Sequence, residues 1–326
     1  MTIGQVAQLW RYPVKSLGGE RIEIADIGGR GVRGDRLWAV RDVERDVTST
    51  ARRVPALLGA TARYVDGVPA DAGPGNAPEV AITFPDGTVL SSSDPGVHAK
   101  LSELAGREMR LTSLPPAEDT SLHKLSRDER ENMSIAALRK DFGVTDDEKF
   151  PDMSMFRVTD LATLSRYSTP PGMFVDLAPV HVMTQTSLDT IGAELGGDDV
   201  DVRRFRPNIL LALDDSNDGL PESQWTGGQL CIGGVVLEVT MPTIRCVVPS
   251  RAQPGLDVDR RITKAVAGRA GRCLGSYCWV KSDGAVRVGD QAMLQESGHR
   301  GLTDAARRAK RFAFGVATSA MERLGR

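Results

Sequence analysis

Gly227–Met241, GGQLCIGGVVLEVTM, constrains the fold more than any other stretch of the chain. Val235, Leu237, Val239 and Met241 alternate with polar or smaller neighbours, the period of a strand buried on one face. With the apolar run before Gly233 it forms a buried hairpin, and its second strand leads to Arg245-Cys246. Upstream lies DVRRFRPNILLALDD. Along Arg204–Asn208 a period of two sets Arg204, Arg206 and Asn208 on one side and Phe205 and Ile209 on the other. Such a strand offers cationic donors to an anion from one face and is apolar on its back. Pro207 cannot donate to a ladder, so it fits an edge or a strand start. An arginine beside a cysteine favours the thiolate, the form that binds metals or attacks sulfur. A lone cysteine is most often a small buried hydrophobe, which suits Cys231, Cys273 and Cys278. Cys246 stands apart, because it follows Pro242 and Arg245 outside the alternating strand.

A chain of 326 residues is long enough for two domains, and a net charge of −2 gives no support for nucleic-acid binding. None of the four cysteines forms a CxxC pair, so neither a structural zinc site nor an iron–sulfur cluster is expected. Few cysteines and no signal peptide point to the cytoplasm. No window approaches the roughly 20 apolar residues that a membrane span needs.

Residues 1–115 read as a first domain. Gln5–Val14 begins with alternating apolar residues and ends in RYPVKSLGG, where Pro13 and Gly18-Gly19 mark a turn. ERIEIADIG follows as a strand with Ile22, Ile24 and Ile27 facing inward. Short strands around Leu37–Val40, Ala60–Val65, Val80–Phe84 and Thr88–Ser91 suggest a small antiparallel barrel or sheet. Asp94–Ala105 reads as a helix with an Asp cap and Pro95 at its first position. Lys15-Ser16 offers an ammonium and a hydroxyl from a turn, and Arg36 enters a strand after glycines; on physics alone these are a solvated turn and a surface arginine. The glycine-rich GGRGVRGD lacks both GxxxxGK[ST] and GxGxxG, so it is not a nucleotide loop.

Residues 116–154 read as a polar, charged connector with some helix, the most variable segment and one suited to a lid, with His123 on its surface. A second domain spans residues 155–295. Val180–Thr184 is a strand and Thr186–Leu195 a helix capped by Thr186 or Ser187. The free N–H groups of its first turn can bind an anion, although a plain capped helix is far commoner. Asp259–Ala267 is helical, and Tyr277–Lys281 and Val286–Leu294 are closing strands with a turn at Gly289-Asp290. Residues 296–326 form a basic amphipathic helix. Packing on its own domain or on a second subunit is the commoner role of such a helix, ahead of docking to a membrane surface or a redox partner.

Four motifs together resemble the MOSC domain family, named for the C-terminal domain of molybdenum cofactor sulfurase. They are Phe205-Arg206-Pro207-Asn208, the hairpin from Trp225 to Val239, Arg245-Cys246, and a chain start with YPVKS and then Asp35-Arg36 before Trp38. Over most of residues 1–294 the chain is similar to the branch of the mitochondrial amidoxime-reducing component and its bacterial relatives. The resemblance implies an α+β fold that is mainly β: a small N-terminal β-barrel or sheet domain plus a MOSC β-barrel domain with flanking helices. It implies that Cys246 is the catalytic residue and the metal ligand, holding the molybdenum of a molybdopterin cofactor. It implies cofactor contacts at Lys15, Ser16, Arg36, Thr186, Ser187, Arg204, Arg206 and Asn208. The activity implied is reduction of small N-hydroxylated molecules by oxygen-atom removal. Some bacterial relatives carry a ferredoxin-like domain, which this sequence lacks, so a separate electron donor of ferredoxin or flavoprotein type is expected. The sequence departs from the family after the cysteine, where Val247–Leu256 stands in place of a DPxTG-like turn. That departure bears on substrate preference. A second reading is a sulfur carrier or sulfurtransferase that forms a persulfide on Cys246 and needs no molybdenum. The N-terminal lysine, serine and arginine argue for the cofactor, because a bare sulfur carrier has no use for a phosphate site.

Overall fold

The computed structural model describes residues 1–145, 148, 150–214 and 219–296. The basic helix expected at the C-terminus lies, from residue 297 on, outside the described residues. The first half contains β1 (Thr2–Arg11), β2 (Glu20–Ile22), β3 (Ile24–Gly28), β4 (Gly31–Val32), β5 (Trp38–Asp42) and β6 (Val47–Thr48). It continues with β7 (Thr61–Tyr64), β8 (Val80–Thr83), β9 (Val89–Ser91), α1 (Val97–Ala105) and β10 (Met109–Ser113). The connector carries α2 (Arg127–Glu131) and α3 (Ile135–Phe142), and α4 (Val158–Leu164) follows it. Then come β11 (Val180–Thr184), α5 (Gln185–Glu194), β12 (Ile209–Leu213), β13 (Gln229–Ile232) and β14 (Val235–Ile244). The last elements are α6 (Arg260–Ala270), β15 (Cys273–Ser282), β16 (Gly284–Arg287) and β17 (Gln291–Gln295).

The fold is mainly β and has two parts, as expected. Seven strands close a barrel in the order β12-β11-β15-β14-β13-β17-β1, with β1 pairing back onto β12. Closure leaves no open edge. β14 alternates buried and half-buried side chains along its whole length, the pattern read from the sequence. Leu9, Val182, Ile209, Leu211, Leu230, Ile232, Leu237 and Val239 fill the interior. β11 and β12 are parallel, joined through α5, which packs outside the barrel with α6 through Ile191, Phe205, Ile262 and Val266. The first strand of the chain thus lies between two late ones. Gly4 permits this with φ +151, because a Cβ there would lie 2.1 Å from the Ala212 carbonyl oxygen.

Three small sheets surround the barrel: β10-β5-β6, β7-β8-β9 and β16-β3-β4. Val14, Leu17, Val40, Leu57, Ile82, Leu101 and Met109 form a second core. Several local expectations change here. ERIEIADIG breaks into β2 and β3, and pairing of Ala25 with Val286 turns Ala25 and Ile27 inward, leaving Ile24 49% exposed. α1 begins at Val97 with Gly96 as its cap; Asp94 instead accepts from the Gly96 N–H in the preceding turn. His123 is not on the surface but fully buried. Its Nε2 accepts from Gly172 N at 3.2 Å, so its Nδ1 donates to Thr169 Oγ1 at 2.8 Å. The connector folds back onto the first half there, where Thr48 Oγ1 donates to the Leu122 carbonyl. α5 is capped by Thr184, which accepts from Ser187 N, so Thr186 and Ser187 lie inside the helix.

Candidate functional site

Cys246 sits two residues past the end of β14, half-buried beside Ala51, Leu58 and Val248. The Arg245 side chain turns away from it. Arg245 Nη2 donates to the Phe205 carbonyl at 3.1 Å and to His181 Nε2 at 3.1 Å. The His181 proton is therefore on Nδ1, facing the Arg206 carbonyl at 3.4 Å. Burial, with Arg245 against it, holds the His181 imidazole well below its usual value and keeps it neutral. Gly275, at φ +81, packs so closely that a Cβ would lie 2.3 Å from His181 Nε2. Arg245 was expected to favour the thiolate. Instead burial pushes the Cys246 thiol up, and Arg52 pulls it down more than Arg245 does.

The expected strand over Arg204–Asn208 is absent. Val202–Arg204 is a single 3-10 turn, Arg206 adopts the left-handed conformation at φ 56, and β12 begins at Ile209. The left-handed residue breaks the alternation, so the three polar side chains take separate paths. Arg204 Nη1 and Nη2 donate to the carbonyls of Pro249, Arg251 and Asp257, clamping the loop that follows Cys246. Arg206 Nη1 donates to the Leu17 carbonyl at 2.6 Å, and its guanidinium lies 4.3 Å from the centre of the Tyr12 ring. Arg206 Nη2 is buried and has no partner. Asn208 is buried between strands, its Oδ1 accepting from His181 N and its Nδ2 donating to the Trp10 carbonyl.

The first half supplies the opposite wall. Lys15 Nζ meets Asp176 Oδ1 at 2.5 Å. Burial pulls the Lys15 ammonium down, opposed by Asp176. Desolvation in the cleft pushes the Asp176 carboxyl up, but Lys15, Arg52 and Arg36 together hold it well below the carboxylate range. Ser16, at φ 74, accepts from Ala51 N at 3.0 Å and so fixes the Thr50–Arg52 loop. Arg36 Nη1 reaches Asp35 Oδ2 at 2.6 Å, and its guanidinium lies 5.3 Å from the centre of the Tyr12 ring.

The structure thus gathers Lys15, Ser16, Arg36, Arg204, Arg206 and Cys246 into one cleft on the seam between the two halves. Thr186, Ser187 and Asn208 do not line it. Ser187 Oγ donates instead to Glu222 Oε2 at 2.6 Å in the interior. Sequence reasoning missed Thr50, Arg52, Asp176, His181 and Tyr277, which also line the cleft. One signal was available: His181 is an ionisable residue in the strand VHVMT, whose five side chains are all buried. The chemistry of the set is that of an anion site beside a soft ligand. Lys15, Arg36, Arg52, Arg204, Arg206 and Arg245 face a cleft whose one lining carboxylate, among the described residues, is Asp176. No group of three His, Cys, Asp or Glu among the described residues can hold a metal ion. Among the described residues lining the cleft, Cys246 is the one soft ligand.

A closed barrel with a thiol in a cationic seam is the frame of this chain. Residues 170–293 match the MOSC domain and residues 3–102 the MOSC N-terminal beta barrel domain; the chain belongs to the MOSC domain family. Among its relatives is the mitochondrial amidoxime-reducing component 1 of Homo sapiens, 25% identical over 90% of this chain and 83% of that protein. The Mus musculus protein of the same name is 25% identical over 90% of this chain and 82% of its own length. Among solved structures, the YUAD protein of Bacillus subtilis matches 91% of this chain and 97% of its own, with 12% identity and a TM-score of 0.44.

Proposed function

We propose that this protein is a molybdenum-cofactor enzyme that reduces small N-hydroxylated molecules, amidoximes among them, by removing the oxygen atom. The observation that carries the reading is the unpartnered, buried Nη2 of Arg206 in a cationic cleft that also holds the Cys246 thiol. A buried donor without an acceptor is costly, on the order of 1–3 kcal/mol, so this guanidinium is built for an anion that completes it. The names of the two relatives support the activity.

When bound, the cofactor supplies a redox-active metal together with the sulfur ligands of its pterin. Cys246 adds one further soft ligand, and giving up its raised proton makes loading dependent on pH. Arg206, Arg36 and Lys15 bind the anionic parts of the group, and Ser16 and Arg204 hold the loops on either side. Asn208 acts from behind by fixing the His181 backbone. Asp176, kept ionised by the cations around it, would accept a hydrogen bond from the N–OH or amino group of the substrate. Electrons come from a separate protein. No helix of the described residues is long and apolar enough to cross a membrane. A sulfur-carrier role for Cys246 calls for an open thiol of low pKa, and burial pushes this one the other way.

The test is elemental analysis of protein from a host that makes the cofactor, for the wild type and Cys246→Ala. Near-stoichiometric molybdenum in the wild type is expected, with at least a tenfold loss in the variant. A wild type free of both molybdenum and pterin, while a known molybdoenzyme from the same host is loaded, would sink the reading.

A further inference from the structure

Most cations of the cleft are already engaged. Lys15 is on Asp176, Arg36 on Asp35, Arg204 on three carbonyls, and Arg245 on His181 and the Phe205 carbonyl. Arg206 has the Leu17 carbonyl and the Tyr12 ring, and its remaining Nη2 is the donor assigned above to the cofactor. Arg52 differs. Among the described residues its guanidinium has no carboxylate at ion-pair distance and no hydrogen-bond acceptor; it lies 5.5 Å from the centre of the Phe142 ring on α3. The available acids go to its neighbour, since Arg53 pairs with Glu129 and with Asp141. The two arginines therefore divide the work: Arg53 ties down the connector, and Arg52 keeps its charge in the cleft.

A second observation lies on the same loop. Thr50 Oγ1 is buried, lines the cleft and has no partner. Ala51, between them, packs against Cys246, and its N–H is held by Ser16 Oγ. An unpaired guanidinium and an unpartnered hydroxyl thus stand on one fixed loop, beside the thiol. A carboxylate or phosphate is the group whose charge complements the guanidinium and whose oxygens can accept from the hydroxyl.

We propose that Thr50 and Arg52 form an anchoring subsite for an anionic group on the substrate, so that small molecules bearing a carboxylate or phosphate are preferred. The inference rests on Cys246 as the reaction centre, but its test reads the thiol directly. Full-length protein from a host unable to make the cofactor is alkylated with iodoacetate and with iodoacetamide, and modification of Cys246 is followed by mass spectrometry. The ratio of the two rates cancels any change in the thiol's own ionisation. That ratio is expected to fall about fivefold in Arg52→Gln and about twofold in Thr50→Val. A ratio unchanged in both variants overturns the subsite. A second arm separates substrate anion from cofactor anion. Arg52→Gln from a cofactor-making host keeps the wild-type molybdenum content if the anchor serves the substrate; loss of molybdenum assigns Arg52 to the cofactor and overturns the proposal. The alkylation ratio does not depend on the molybdenum result for the wild type, so the two readings can fail separately.

Discussion

Two like charges brought to one small site need something between them. Arg36 and Arg206 come from opposite halves of the chain, and the Tyr12 ring lies within 5.3 and 4.3 Å of their guanidinium carbons. The electron-rich ring face offsets part of their repulsion. Burial still pushes the Arg206 guanidinium down to about 10, opposed first by Tyr12, which leaves it charged at neutral pH. Burial also pushes the Tyr12 phenol up, so it stays neutral and donates to the Pro207 carbonyl at 3.2 Å. The ring therefore matters more to the cleft than the hydroxyl. Tyr12→Phe should bind inorganic phosphate within about twofold of the wild type, and Tyr12→Leu about tenfold more weakly, by titration calorimetry. Equal weakening in both would assign the effect to the hydroxyl instead. At this scale the sequence showed the residues that sit in motifs: Lys15, Ser16, Arg36, Arg206 and Cys246 all reach the cleft. It could not show Asp176, whose partner Lys15 is 161 residues away, because spacing along a chain says nothing about pairs that only the fold brings together.

Among the elements, legibility followed regularity. β14 was readable because every second side chain is buried, whereas the turn at Arg206 was not, because a left-handed arginine leaves no periodic trace. The connector was read as a polar linker for the same reason: its short helices α2 and α3 hide what His123 does. That imidazole sits against Phe174 with ring centres 5.3 Å apart, and its Nε2 accepts from Gly172 N. Protonation would set an N–H against an N–H. Burial accordingly pushes its pKa down from 6.5 to about 4. For a histidine depressed in this way the stabilising contribution is complete above 6.5. It is lost as pH falls toward 4, because in that window the unfolded chain takes up a proton that the folded chain refuses. The melting temperature should therefore drop between those two values, and less steeply in His123→Gln, which melts below the wild type at neutral pH. A variant with an unchanged acid slope would show that other groups set it.

At the scale of the whole molecule, β1 joins the two halves. It pairs with β12 on one side and with β17 on the other, and the terminal amine reaches the Leu294 carbonyl. Without it the barrel has two open edges, with unpaired N–H and C=O groups along both and with the interior uncovered where Val6 and Leu9 now lie. The chain then leaves through β2 to build the smaller sheets and returns through the connector. In this way Lys15 and Arg36 come to face Arg206 and Cys246 across the seam. The sequence pointed to both halves but not to this exchange, since an alternating strand looks the same whichever sheet accepts it. A fragment of residues 116–326 should therefore aggregate when expressed alone. Co-expressed with residues 1–115 it should give a soluble complex that melts cooperatively, because only the pair completes the barrel and brings the cations of the first half to the thiol of the second. Should the larger fragment prove monomeric and melt cooperatively by itself, β1 would be an accessory strand and the cleft an interface between two independently stable bodies.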